Sequence, residues 1–295
     1  MTPFRSGFVC ITGRPNVGKS TLLNTILGEK VAIVSEKPQT TRHRIVGIKN
    51  LPEAQIVFVD APGIHKPKHR LGKVMVQRAV ESLGEADLIL FMAEPGRPGS
   101  GDLFILDIVK RMNRPVFLLI NKIDTVQRPR LLPVIDAYRG IHPFSEIIPV
   151  SALTGDGIDI LLGKVQEYLR EGPRYYPEDS ITDQAERFMT AEIIREKILE
   201  HTREEVPHAV AVEVTEWSED EDGIVHIHAD IYVEREGQKG IIVGERGLRL
   251  KKIGTAARLD IERLLGARVF LELWVKTRRD WRDNEQVLRE LGFSS

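Results

Sequence analysis

The chain has 295 residues, 42% hydrophobic and 29% charged, which supports a packed core and suits two domains better than one. A formal net charge of −1 excludes a uniformly basic nucleic-acid coat, yet it leaves room for local asymmetry. The one cysteine, Cys10, excludes an intrachain disulfide, and no apolar run approaches the ~20 residues that span a bilayer. Met1 to Gly7 lacks the charged-then-apolar pattern of a secretion signal, so a cytoplasmic location is expected.

Short runs rich in Val and Ile recur through the first half: Phe8–Ile11, Ile56–Val59, Leu88–Met92, Val116–Ile120 and Ile147–Val150. Amphipathic stretches separate them, and Leu22, Leu23, Ile26 and Leu27 have helical spacing. Continuous apolar strands alternating with helices predict an α/β domain with a mostly parallel sheet covered on both faces. Cys10 falls inside the first run and is expected to be a buried strand residue. Two prolines and a glycine in Glu171-Gly172-Pro173-Arg174-Tyr175-Tyr176-Pro177 read as a linker. Beyond it the period changes. Glu186–Glu205 reads as a helix, Ala209–Thr215 and Ile224–Val233 as strands, Leu248–Leu265 as a helix, and Val269–Val275 as a last strand. The expected organisation is a first domain over 1–172, a linker over 173–180, and a smaller α+β domain over 181–295.

Four motifs end strands of the first half, where open parallel sheets bind ligands. Gly13-Arg14-Pro15-Asn16-Val17-Gly18-Lys19-Ser20-Thr21 follows a strand and opens a helix. Its glycines let backbone N–H groups close around a β-phosphate, and the helix N-terminus favours the anion. Lys19 would set a point charge between the β- and γ-phosphates, and Ser20 would offer its hydroxyl to Mg²⁺. Asp60-Ala61-Pro62-Gly63-Ile64 comes next, with Asp60 expected to hold the Mg²⁺ shell through water and the Gly63 N–H to sense the γ-phosphate. Between the two, Thr41 is expected to reach Mg²⁺, with Thr40 as the alternative.

Asn121-Lys122-Ile123-Asp124 selects the base. Guanine presents adjacent N–H donors at N1 and N2, and the Asp124 carboxylate can accept both, whereas adenine presents an acceptor at N1. Ser151-Ala152-Leu153 is expected to supply a backbone N–H to the guanine carbonyl. Together these motifs predict a domain that binds GTP and GDP and hydrolyses GTP. Catalysis is assigned to positioning by Lys19, Thr41 and Gly63.

GRPNVGKST, PQTTR, DAPG and NKID resemble the Era-type GTPases, which are related to the translation factors. EGPRYYPED, EVPHAVAVEV and IIVGERG extend that resemblance over nearly the whole chain, the last part resembling a type II KH module. The resemblance implies a GTP-controlled switch that binds the 3′ region of small-subunit ribosomal RNA and assists small-subunit assembly. It also implies a monomer, and peripheral attachment to the inner face of the cell membrane beside the cytoplasmic pool. Related GTPases use an asparagine in the phosphate loop to hold K⁺, a role that falls here on Asn16. Ras-like enzymes orient water with a glutamine where this chain has Ile64.

Gly244-Glu245-Arg246-Gly247 matches the loop with which KH modules approach a nucleic-acid backbone. From Gln238 to Arg282 there are 12 Lys and Arg against 5 Asp and Glu, whereas Ile181 to Gly237 has 5 against 16. On the following helix Leu250, Ile253, Ala257, Ile261 and Leu264 read as the core stripe, which leaves Arg249, Lys252 and Arg258 to meet phosphates. His226 and His228 share a strand face without a carboxylate or cysteine to complete a metal set. Two other functions fit a GTPase with an appended domain: service to RNA modification, and peripheral membrane signalling.

Overall fold

The computed structural model describes residues 3–37, 40–67, 69–203 and 206–293, apart from the side chain of residue 208. Pro38 and Gln39, next to the expected Mg²⁺ threonines, lie outside the described residues, as do residues 204 and 205 of the expected helix. The described chain forms two compact units. The first spans 1–34, 41–67 and 72–183, and the second takes 35–40, 68–71 and 184–295.

The first unit is an α/β sandwich. Its strands are β1 (Arg5–Gly13), β2 (Ile45–Leu51), β3 (Ala54–Asp60), β4 (Leu88–Ala93), β5 (Val116–Ile120) and β6 (Glu146–Pro149), in the order β2-β3-β1-β4-β5-β6. Only the β2–β3 pair is antiparallel. Every residue of β3, β4 and β5 is buried, as expected of strands covered on both faces. The covering helices are α1 (Lys19–Leu27), α2 (Arg70–Glu85), α3 (Ser100–Val109), α4 (Leu131–Arg139) and α5 (Ile158–Tyr168). Cys10 is fully buried, and that burial pushes its thiol up to about 12.

The edge strand β2 does not stand out in the sequence, because Gly47 and the pair Lys49-Asn50 interrupt its apolar run. The glycine is needed, since a Cβ there would stand 2.6 Å from the Leu23 and Leu27 side chains of α1. The stretch 173–180 is laid along this edge of the first unit. Buried Gln55 accepts from the N–H groups of Tyr175 (2.7 Å) and Tyr176 (3.0 Å) and donates to the Tyr176 carbonyl (2.8 Å).

The second unit carries β7 (Ala211–Glu219), β8 (Ile224–Val233) and β9 (Arg268–Thr277) in that order. β7 and β8 are antiparallel, whereas β8 and β9 are parallel. Its helices are α6 (Glu186–His201), the single turn α7 (Val206–Ala209), α8 (Glu236–Val243), α9 (Leu248–Leu265) and α10 (Glu285–Glu290). Val225, Ile227, Ala229, Ile231 and Val233 alternate along β8 and pack with Ile194 and Ile198 of α6, Ile242 of α8, and Ile253, Ala257 and Ile261 of α9. Leu264 departs from the expected stripe, being 39% exposed, and Leu265 packs on the core in its place. Four residues on from Ile261 lies closer to the same helix face than three. Fully buried Trp281 closes the unit by donating its indole N–H to the Ala209 carbonyl (2.8 Å).

Candidate functional site

The first loop runs from the end of β1 into α1. Gly13 and Gly18 have φ of 153° and 104°, and Asn16 is left-handed at 64°. Gly18 is irreplaceable on steric grounds as well, because a Cβ there would stand 2.3 Å from Asn121 Nδ2. Lys19 is 6% exposed, and its ammonium donates to the Arg14 carbonyl (3.1 Å). Burial holds its pKa below the ordinary lysine value, against the opposing pull of Asp60.

Three oxygens converge beside Lys19. Ser20 Oγ donates to Asp60 Oδ2 (2.6 Å) and lies 2.9 Å from Thr41 Oγ1, which is 3.4 Å from the same carboxylate oxygen. Thr40 is turned away, its hydroxyl donating to the Lys37 carbonyl (2.6 Å). Asp60 is fully buried, and Oδ1 has no hydrogen-bond partner. Burial pushes the Asp60 carboxyl up, while Lys19 and the hydroxyls of Ser20 and Thr41 pull it back. Two hydroxyls and an under-satisfied carboxylate fit a hard cation that takes its remaining ligands from phosphates and water. Among the described residues no cluster of three or more His, Cys, Asp or Glu could hold a metal. His226 instead contacts Asp220 (2.9 Å).

The Asp60–Ile64 segment lies against the first loop. A Cβ on Gly63 would stand 3.2 Å from the Pro15 backbone nitrogen. Ala61 and Ile64 are buried in the core, so Ile64 cannot orient water. Asn121 ties the base loop to the phosphate loop. Its Nδ2 donates to the Val17 carbonyl and its Oδ1 accepts from the Ala152 N–H, both at 2.8 Å. Lys122, left-handed at φ 62°, donates to the Asn16 carbonyl (3.0 Å). Ser151 Oγ donates to Asp124 Oδ1 (2.6 Å) and so aims the carboxylate. Ser151-Ala152 is the pair expected to supply a backbone N–H to the guanine carbonyl. Ser151 N–H goes to the Asp156 carbonyl (2.9 Å) and Ala152 N–H to Asn121, so a guanine carbonyl would share the latter donor. Leu153 is 79% exposed.

In the second unit Gly244 (φ 70°) ends α8, and Glu245–Gly247 forms a 3₁₀ turn with Arg246 and Gly247 left-handed at φ 49° and 77°. A Cβ on Gly244 would stand 2.7 Å from Arg249 Cβ. Beyond the turn, α9 and β9 flank a groove of about 400 Å³ lined by Gly247, Leu250, Lys251, Gly254, Thr255, Arg258, Leu271 and Leu273.

The chain is 55% identical to the curated GTPase Era of Geobacter metallireducens, covering 99% of both chains. The chain belongs to the Era family of GTPases. The GTPase Era of Ruminiclostridium cellulolyticum is 51% identical over 99% of this chain and 98% of its own. A family model described as a 50S ribosome-binding GTPase matches residues 8–122, and a KH-domain model matches 205–282. Two crystal structures of Era, each 46% identical, cover 99% of this chain and all of their own. One is a point variant of Aquifex aeolicus Era bound to GDP·AlF4⁻, with a TM-score of 0.95. The other holds MgGDPNP and nucleotides 1506–1542 of 16S ribosomal RNA, with a TM-score of 0.96.

This Era-family chain is therefore a GTPase whose nucleotides are GTP and GDP, with a P-loop domain followed by a KH domain. Lys251, Gly254, Thr255, Leu271 and Leu273, which also line this groove of the KH domain, were not singled out in the sequence. The signal was present in Gly254, a glycine inside a helix, where a Cβ would stand 3.3 Å from Leu273. Of the expected RNA contacts, Gly247 and Arg258 line the groove, whereas Lys252 does not. Arg249 bonds back to the Ile241 carbonyl at the root of the loop.

Proposed function

We propose that this GTPase is a nucleotide-controlled switch that binds the 3′ end of small-subunit ribosomal RNA and assists assembly of the small ribosomal subunit. The observation that carries the reading is the groove beside Gly244–Gly247, in a chain whose Era relative is seen with that RNA. Splayed bases would lie on Leu250, Leu271 and Leu273, while Lys251 and Arg258 would meet phosphates and the glycines admit the backbone. In the first unit Lys19 sets charge against the β- and γ-phosphates, the Gly63 N–H reads the γ-phosphate, and Asp124 accepts from guanine. Ser20, Thr41 and Asp60 would hold Mg²⁺, which neutralises phosphate charge when bound. Asn16 would hold K⁺. Hydrolysis should then be faster in KCl than in NaCl at equal ionic strength, and Asn16→Ala should erase the difference. Equal rates for the wild type would remove the K⁺ role.

Among the described residues no helix is long and apolar enough to cross a membrane, so attachment to the inner membrane face, beside a cytoplasmic pool, would be peripheral. We take the chain to act as a monomer. The test of the reading is fluorescence anisotropy with an RNA matching the small-subunit 3′ end, in a GTP analogue and in GDP. Tighter binding than to a scrambled RNA is expected, with affinity that differs between the two nucleotides. Equal affinity for both RNAs would overturn the reading.

A further inference from the structure

The nucleotide contacts leave two acids beside the phosphate loop without a function, Glu94 at the end of β4 and Asp102 in the first turn of α3. Asp102 is 1% exposed, and its Oδ1 stands 2.9 Å from Arg14 Nε. That approach lacks hydrogen-bond alignment, so it is a contact of charge. Asp102 Oδ2 accepts from the Gly99 N–H (2.9 Å). A buried carboxylate needs a counter-charge, and here it is supplied by a residue of the phosphate loop.

Arg14 Nη2 also lies 3.5 Å from Glu94 Oε2. The other oxygen of Glu94 pairs with Lys122, whose ammonium donates to the Asn16 carbonyl (3.0 Å). Charges thus alternate through Asp102, Arg14, Glu94 and Lys122, joining α3, the phosphate loop, the end of β4 and the base loop. Space has been cleared for this chain of charges as well. A Cβ on Gly101 would stand 2.8 Å from Arg14 Cδ, so the missing side chain lets the arginine stem lie on α3.

We propose that Asp102 and Glu94 are positioning residues for nucleotide retention. By holding Arg14 and Lys122 they keep the phosphate loop shaped around a guanine nucleotide, and so they set its dissociation rate. The inference rests on the assignment of residues 13–20 and 121–124 to the nucleotide. Asp102 carries more of the effect than Glu94, because the Arg14–Glu94–Lys122 pairs are about two-fifths exposed and water screens them.

The test measures release of fluorescent GDP and GTP analogues, together with steady-state hydrolysis, on the full chain. Asp102→Asn keeps the shape and the Gly99 contact but removes the charge, and should speed release about tenfold. Glu94→Gln should speed it two- to fivefold, by the weaker energetics of exposed pairs. The double variant should fall short of the product, because both acids act through Arg14. KM should rise with the release rate while kcat at saturating GTP stays within about twofold, a split that loss of fold would not produce. Gly101→Ala, which favours the helix, should speed release by displacing Arg14, and it carries the test if Asp102→Asn does not fold. Wild-type release in Glu94→Gln and Gly101→Ala, or kcat falling together with affinity, overturns the proposal. Asp124→Asn serves as the control: if it leaves GTP affinity unchanged, the site assignment has failed rather than the positioning role.

Discussion

Asn121 shows how one side chain can organise a site. Its amide nitrogen holds the phosphate loop at Val17, its oxygen holds Ala152, and its approach to Gly18 leaves no room for a Cβ. Asp124 lies apart from those two contacts, its Oδ1 accepting from Ser151 Oγ. Replacement by asparagine should therefore act on base recognition rather than on folding. Asp124→Asn should weaken GTP binding by about 100-fold, the loss of two charge-assisted hydrogen bonds. It should raise relative affinity for xanthine nucleotides, which carry a carbonyl in place of the N2 donor. Titration with fluorescent GTP and XTP analogues checks both, and unchanged GTP affinity would refute the assignment. The neighbouring hydroxyls separate by geometry alone: Thr41 joins Ser20 and Asp60, while Thr40 turns back to Lys37.

At the scale of elements, α9 presents a core face and a groove face side by side. Ile253, Ala257 and Ile261 recur at a spacing of four and are fully buried, while Leu250, Lys251, Gly254, Thr255 and Arg258 line the groove. Ile261→Ala should destabilise the second unit by about 2–5 kcal/mol through the cavity it leaves. Leu264→Ser, at the exposed position, should change stability by no more than about 0.5 kcal/mol. All three tryptophans, Trp217, Trp274 and Trp281, lie in the second unit, so tryptophan fluorescence during urea unfolding reports on it. Equal losses for the two variants would mean that the helix is rotated from its described packing. The strand β2 teaches the complementary lesson. It pairs antiparallel with β3, and Gly47 and Asn50 serve α1 and the 175–181 stretch rather than strand propensity.

For the whole molecule, a net charge of −1 conceals an acidic segment followed by a basic one. RNA affinity should therefore depend on salt as if the basic segment acted alone, with a slope of about 0.7 per phosphate contact. Replacing both Glu245 and Arg246 with aspartate should lower RNA affinity and flatten that slope. Aspartate tolerates the left-handed conformation of residue 246, so the loop itself should survive. GTP hydrolysis without RNA should stay at the wild-type rate, because the loop belongs to the second unit and the nucleotide residues Gly13–Thr21, Asp60–Ile64 and Asn121–Asp124 to the first. Anisotropy at several salt concentrations decides it; wild-type affinity in the double variant would leave the KH loop without a role in RNA binding. By itself the sequence determined the strands of the parallel core, the four nucleotide motifs and the glycine loop of the second domain. Each of these is written in local terms, as an apolar run, a turn conformation or a fixed spacing. Tertiary structure alone decided which threonine joins Ser20, that the Ala152 N–H is taken by Asn121, which α9 residues face the groove, and that Asp102 and Glu94 face Arg14. Those facts depend on distances between segments far apart in the chain, such as Arg14 and Asp102, and spacing along a sequence does not encode such distances.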